Sequence, residues 1–395
     1  MLSDTHLSVI KAMYFNNVTS SLEISKTTGV SIPTITKHIE DLIAEGYIIE
    51  KGLALSPTGR RPMVYSLVAD KHFILSVAMD QFYTRMVIVD MNGNFITEIV
   101  ETELNLYNNP LALDSLITTV NDFVDQSGIK RRKLIAAGIS MPGFIDVQEG
   151  NNRSYLTTQD KSLRDTLTQQ LGLPVFIDND SSVIALAELK FGMGKVKSEI
   201  MVINLSWGIG LGMIISNQIY RGFRGYAGEF SHIPIFDNDQ ICSCGKRSCL
   251  ETQASLITIE NNAADEVRKG TFTSLKLEND KIKISAVIAE ALKGDSLSIK
   301  LISFAGYQIG RAIAILIHIL NPEVIVLSGR ATKAGKFWLA PVQQAINDYS
   351  IPILTEGTDI VLSKMGFDAQ LAGSAALAID HLSKELFVKQ KVVKA

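Results

Sequence analysis

From Phe73 onward the chain runs strand, strand, strand, helix, and then repeats that pattern, which restricts it to mixed α/β sheets with helices packed on them. Alternating apolar residues predict strands over Phe73 to Met79, Arg85 to Asp90 and Asn94 to Val100, with Asn92-Gly93 as a hairpin turn. An amphipathic helix over Leu113 to Val124 and a buried strand over Lys133 to Ser140 follow. The second set comprises Pro174 to Ile177, a helix from Ser181 to Phe191, strands Glu199 to Leu205 and Gly210 to Ser216, long helices, and a strand Val324 to Leu327. Two such halves, only loosely similar in element order, predict two lobes with a cleft between them. At 395 residues and 46% apolar content there is material for a core in each.

The first 68 residues have a different texture. Leu7, Ile10 and Ala12 to Tyr14 mark one short helix, and Leu22 and Ile24 mark a second that ends at Gly29. Ser31 caps a third, in which Ile32, Ile35, Ile39, Leu42 and Ile43 share one face and Pro33, Thr34, Thr36, Lys37 and Glu40 point outward. Tyr47 to Glu50 and Met63 to Val68 can pair around a loop carrying Arg60 and Arg61. This is the order of a winged helix-turn-helix, with Pro33, Thr34 and Lys37 reading the major groove and the two arginines entering a minor groove. Residues 1–68 hold six Lys and Arg against six Asp and Glu, so any attraction to DNA is local. Helix order alone also fits a protein-docking domain; the cap and the Arg-Arg wing favour DNA.

The whole chain has a formal net charge of -3, which excludes a polybasic binder. Met1 to His6 lacks the pattern of a secretory signal, and the apolar run Ala312 to Leu320 is about half the roughly 20 residues needed to span a bilayer. A cytoplasmic protein without membrane association is expected. All three cysteines fall in one window as Cys242, Cys244 and Cys249, ten residues after His232. Three thiolates and an imidazole suit tetrahedral Zn²⁺ with no open position for catalytic water, so a structural zinc is expected; free buried thiols are the alternative.

In order along the chain, Met141-Pro142-Gly143, Asp178-Asn179-Asp180, the stretch Gly225 to His232, the stretch Cys242 to Glu251, and Asn321-Pro322-Glu323 resemble the motifs of the ROK family of repressors and sugar kinases. The resemblance covers about residues 72 to 382, and the added helix-turn-helix is similar to its NagC/XylR-type repressor branch. It implies an actin-like ATPase (ribonuclease H-like) fold of two lobes, with a sugar bound between them. The expected domains are then 1–70 for DNA binding, 71–178 for a first lobe completed by a C-terminal helix at about 366–382, and 179–365 for a second lobe.

The resemblance also implies sugar contacts from Asn179, Asp180, Glu229, His232 and Glu251, with Asp180 matching the general base of the kinases, and it makes the His232 and cysteine site structural. Carboxylates and amides pair well with vicinal hydroxyls; Asn179-Asp180 on their own would serve equally as a helix cap. Ser231 and Ser248 stand where family members usually have glycine. The family's first phosphate motif, Asp-x-Gly-Gly-Thr-Lys, reads Asp80-Gln81-Phe82-Tyr83-Thr84-Arg85 here, the second reads Ser206-Trp207-Gly208-Ile209-Gly210, and the Gly-Gly pair near adenosine reads Ser328-Gly329. Side chains in place of these glycines block backbone approach to phosphates, so a retained sugar pocket and a lost kinase activity are expected, with Asp180 a vestigial base.

The expected function is a sugar-responsive repressor that binds palindromic operator DNA as a homodimer or homotetramer. Its alternatives are an ATP-dependent sugar kinase with a DNA-binding appendix, and a repressor controlled by a protein partner.

Overall fold

The computed structural model describes residues 2–54, 61–236 and 239–383, and divides the chain into two compact units, Met1–Asn179 with Leu371–Ala395, and Asp180–Gln370.

The first unit opens with α1 (Asp4–Asn16), β1 (Thr19–Ser20), α2 (Ser21–Thr28), α3 (Ile32–Ala44), β2 (Ile48–Leu53) and β3 (Met63–Leu67). Strands β2 and β3 pair antiparallel as the wing, and the short β1 adds to the other edge of β3. Helix α2 starts in a reciprocal cap: the Ser20 hydroxyl accepts from Glu23 N–H, and Glu23 Oε2 accepts from Ser20 N–H at 2.8 Å. Helix α3 buries Ile35, Ile39 and Leu42, while Ile32 is exposed. Ser31 occupies its N-cap position but its hydroxyl pairs with the Thr34 hydroxyl at 2.8 Å, and Pro33 presents no N–H for a cap to bind.

The same unit continues with β4 (Phe73–Met79), β5 (Tyr83–Asp90), β6 (Val100–Glu103), α4 (Ala112–Gln126), β7 (Leu134–Met141), β8 (Ile145–Asp146), β9 (Asn151–Asn152), α5 (Leu163–Leu171) and β10 (Val175–Asn179). Its sheet has the order β10-β7-β4-β5-β6, with β5 and β6 antiparallel and β7 and β10 parallel to their neighbours. The third strand lies at Val100–Glu103 rather than Asn94 to Val100. After the Asn92-Gly93 turn the Asp90 carboxylate takes the Asn92 and Asn94 N–H groups, and the chain meets β5 at the Val89–Phe95 bridge and through Ile88 N–H donating to Thr97 Oγ1 before pairing further on.

The C-terminal helix (Ala369–Asp380) packs on this sheet: the Ser374 hydroxyl donates to Val77 O at 3.1 Å and meets Ser140 Oγ at 2.9 Å. Gly138 in β7 makes room, since a Cβ there would run into Ser374 O. The winged domain rests on the same unit. Lys11 Nζ donates to Asp380 O at 2.6 Å, Lys133 Nζ to Asp70 O at 2.7 Å, and Lys71 Nζ to Glu45 O at 2.8 Å.

The second unit contains α6 (Asp180–Phe191), β11 (Ile200–Leu205), β12 (Ile209–Ile215), β13 (Gln218–Tyr220), α7 (Glu251–Ala254), α8 (Leu256–Arg268), α9 (Ile284–Leu292), α10 (Ser296–Leu320), β14 (Val324–Ser328), α11 (Lys336–Tyr349), α12 (Pro352–Thr355) and β15 (Asp359–Leu362). Its sheet order, β13-β12-β11-β14-β15, reproduces the first sheet strand for strand: three antiparallel strands, then two parallel ones beside the first. The halves are thus more alike than their sequences suggest. Helix α10 is long and apolar enough to cross a membrane by length and composition, yet 61% of its most apolar window is buried inside the protein, where Ile302, Ile309 and Ile313 join Trp338 and Val342 of α11 in the core.

Candidate functional site

On the winged domain, α3 holds Pro33, Thr34 and Lys37 exposed along its outer face, opposite Ile35, Ile39 and Leu42. Arg61 is exposed beside β3, and Arg60 lies outside the described residues.

In the second unit His232, Cys242, Cys244 and Cys249 converge, their ligating atoms all within 4.8 Å of one another. Regular tetrahedral zinc with ordinary Zn–S and Zn–N bonds places sulfurs about 3.8 Å apart and sulfur from nitrogen about 3.6 Å. Cys244 Sγ and Cys249 Sγ are 3.8 Å apart, and Cys242 Sγ is 3.5 Å from His232 Nδ1. The donor set therefore fits zinc in geometry as well as in chemistry. Burial, reinforced by the neighbouring sulfurs, pushes the Cys249 thiol up to about 12. A dication supplies the charge that lets such crowded thiols ionise together. The loop reaches this geometry with Ser248 at φ 66°, the left-handed region that favours glycine.

The imidazole of His232 has two faces. While Nδ1 meets the Cys242 sulfur, Nε2 lies 3.9 Å from Glu229 Oε2. Glu251 approaches the cluster from the start of α7, accepting from the Ser243 hydroxyl at 3.2 Å. Burial, with Glu251 adding to it, raises the pKa of Glu229 despite the opposing pull of His232. Three of the sequence-selected residues, Glu229, His232 and Glu251, thus surround the cysteine cluster.

Asp180 begins α6, where its Oδ1 accepts from Ser181 N–H at 2.7 Å and its Oδ2 from Asn204 Nδ2 at 3.3 Å. Gly210 of β12 lets α6 approach, because a Cβ there would strike the Ser181 side chain. Asn179 ends β10 in the first unit, its amide donating to Gly143 O at 3.2 Å. Asn204, which braces Asp180, was not selected from the sequence; it sits near the end of β11 with no motif to mark it.

The three loops matching phosphate and adenosine motifs have side chains of their own. Asp80 Oδ1 accepts from the N–H groups of both Phe82 and Tyr83 at 2.8 Å. In the second unit the Arg330 guanidinium lies over Trp207 at 5.2 Å and over Phe367 at 4.4 Å.

Comparison with known proteins agrees with this architecture. The ROK family profile matches residues 83–381, and a profile for winged helix-turn-helix DNA-binding domains matches residues 2–49. The chain belongs to the ROK family, as a transcriptional repressor with a winged helix-turn-helix DNA-binding domain. It is 30% identical over 385 residues to the xylose repressor of Caldicellulosiruptor bescii, covering 95% of each chain. A glucokinase of Halalkalibacterium halodurans is 34% identical over 274 residues, 67% of this chain and 83% of that one. Among solved structures, a ROK family transcriptional regulator homologous to the Escherichia coli MLC protein superposes with a TM-score of 0.76 at 24% identity, over 99% of this chain and 100% of that one.

Proposed function

We propose that this repressor is sugar-responsive: its second unit senses a sugar or sugar phosphate, and its winged domain reads a palindromic operator in the cytoplasm as a homodimer or homotetramer. The observation that carries the reading is the shared imidazole of His232, with Nδ1 on the cysteine cluster and Nε2 toward Glu229. Zinc held by His232, Cys242, Cys244 and Cys249 would fix that ring, so that a hydroxyl placed between Glu229 and His232 finds both partners already oriented. Glu251, Asp180 and its chain neighbour Asn179 supply further acceptors and an amide donor. The effector must bind better to the DNA-incompetent arrangement, and its differential affinity sets the extent of release.

Phosphoryl transfer has no part in this function. The N–H groups of Phe82 and Tyr83 are taken up by Asp80, and Arg330 stacks between Trp207 and Phe367 beside the loops that match nucleotide motifs. Such loops offer γ-phosphate no cradle, and the reaction depends on positioning and charge stabilisation.

The test is a thermal-shift panel of sugars and sugar phosphates on the full chain, with Glu229→Ala as the control for the site. A hit in the wild type that disappears in the variant and changes DNA affinity supports the reading. If no sugar shifts the transition while zinc and DNA binding are intact, control by a protein partner takes its place. Lys37→Ala and Arg61→Ala should each lower DNA affinity and flatten its salt dependence by about one charge. The 34% identity to a glucokinase favours a second reading, catalysis. ADP release over a hexose panel, abolished by Asp180→Asn, would establish it.

A further inference from the structure

Two clusters of metal-ligating side chains occur among the described residues, and one of them lies on the DNA-binding domain, far in sequence from any cysteine. His6 sits in the first turn of α1, while His38 and Asp41 lie one turn apart on α3. His6 Nε2 is 3.0 Å from His38 Nδ1 and 3.5 Å from Asp41 Oδ2, and the three ligating atoms lie within 4.8 Å of one another. In a tetrahedral site with metal–nitrogen bonds of ordinary length, neighbouring ligand atoms are about 3.3 Å apart; both distances from His6 lie within a few tenths of an ångström of that, and a rotation of the half-exposed Asp41 side chain toward His38 completes the set.

We propose that His6, His38 and Asp41 bind a divalent transition-metal ion of the zinc class, with solvent in the fourth position, and that this ion fastens α1 to the recognition helix α3. Two imidazoles and one carboxylate are borderline ligands suited to such ions rather than to calcium or magnesium. His6 is buried and brings its own second partner, since Ser3 Oγ lies 2.9 Å from His6 Nδ1. With the ion bound, the Nε2 lone pair faces the metal and Nδ1 carries the proton, donated to Ser3 Oγ, so the bond from Ser3 N–H to Nδ1 opens. Without it, Nδ1 accepts from Ser3 N–H at 2.9 Å, and the proton sits on Nε2, donated to His38. The two states of the site therefore differ in the tautomer of one ring and in one hydrogen bond of the α1 cap.

The ion also has a structural consequence. Asp41 is half exposed and lies one turn beyond Lys37 on the outward side of α3, so an ion here lies at the edge of the surface that α3 offers to DNA. Ordering α3 in advance would remove part of the cost of ordering it on DNA.

The test uses the full chain with the cysteine site first filled by one equivalent of Co²⁺, whose thiolate charge-transfer band reports that site alone. Further Co²⁺ should add a second equivalent without increasing the band, and in the protein loaded with diamagnetic Zn²⁺ instead, the second equivalent should shift the ¹⁵N resonances of His6 from the Nε2–H to the Nδ1–H tautomer. His38→Gln should abolish the second equivalent. Asp41→Asn, at a position exposed enough to leave folding intact, should weaken it by at least about tenfold, because a ligand matters at least as much as its outer-shell partner. Uptake that stops at one equivalent, or a second equivalent indifferent to both substitutions, would overturn the proposal, leaving a hydrogen-bonded histidine pair between two helices.

Discussion

Ser248 is held at φ 66° in the middle of the cysteine loop, between Cys244 and Cys249. A side chain in that region costs on the order of 1 kcal/mol or more, and the surrounding loop, closed by Ser248 N–H to Gln240 O at 3.4 Å and by the Ile241–Arg247 bridge, holds it there. Ser248→Gly should relieve that strain, raising the stability of the loop by up to about 1 kcal/mol and slowing loss of metal to a chelator. His72 is a second residue whose surroundings oppose its ordinary state. Burial, followed by the charges of Lys71 and Lys133, pushes its pKa down to about 4. The unfolded chain binds a proton at this ring near its usual 6.5, whereas the folded one does so only near 4. Its contribution to stability is therefore complete above about pH 6.5 and is lost as pH falls toward 4. His72→Phe keeps a ring beside Tyr47, 5.6 Å away, and should flatten the decline of melting temperature over that window. An unchanged slope would show that the ring titrates normally.

At the scale of elements, local chemistry set most boundaries. The cap joining Ser20 and Glu23 fixes the start of α2, and hydrogen bonds from the Ser20 backbone and side chain hold Glu23 below the usual glutamate range. Glu23→Gln should cost about 0.5–1 kcal/mol at neutral pH. With a depressed pKa, wild type keeps the charged form's benefit above the ordinary glutamate range and loses it as pH falls through the lowered value, so wild type and variant should converge in acid. Hydrogen exchange of the α2 amides reads both effects. The meander, the wing and the parallel strands were legible because alternation of side chains sets which residues face a core. The shift of the third strand to Val100–Glu103 was not, because it follows from how the Asp90 carboxylate captures the Asn92 and Asn94 amides. Nor was the matching of the two sheets, which lies in pairing order rather than in composition. The cysteine site was legible because its ligands crowd one short window. His6, His38 and Asp41 were not, because nothing in the sequence relates a histidine in a helix cap to residues 32 and 35 positions further on.

At the scale of the whole molecule, the winged domain and the cysteine cluster belong to different compact units. The winged domain is anchored to its own unit through Lys11, Lys71 and Lys133, each donating to a backbone carbonyl there. Structural zinc can carry on the order of 10 kcal/mol of apparent binding free energy, more than a domain of this kind has to spare, so its loss should loosen the second unit while the first retains its own core. Cys244→Ser separates the two, since Cys244 is exposed and the substitution removes a ligand without opening a cavity. In metal-replete buffer, where any ion on the winged domain stays bound, the variant should protect the amides of β4, β5 and β7 as wild type does and lose protection in α7 and the loop before it. It should still bind DNA, because the winged helix-turn-helix belongs to the first unit, but its DNA affinity should not respond to any sugar that changes the DNA affinity of wild type. If DNA binding instead falls in step with the lost metal, the ordered second unit is required for a DNA-competent assembly, and sensing and reading cannot be assigned to separate units.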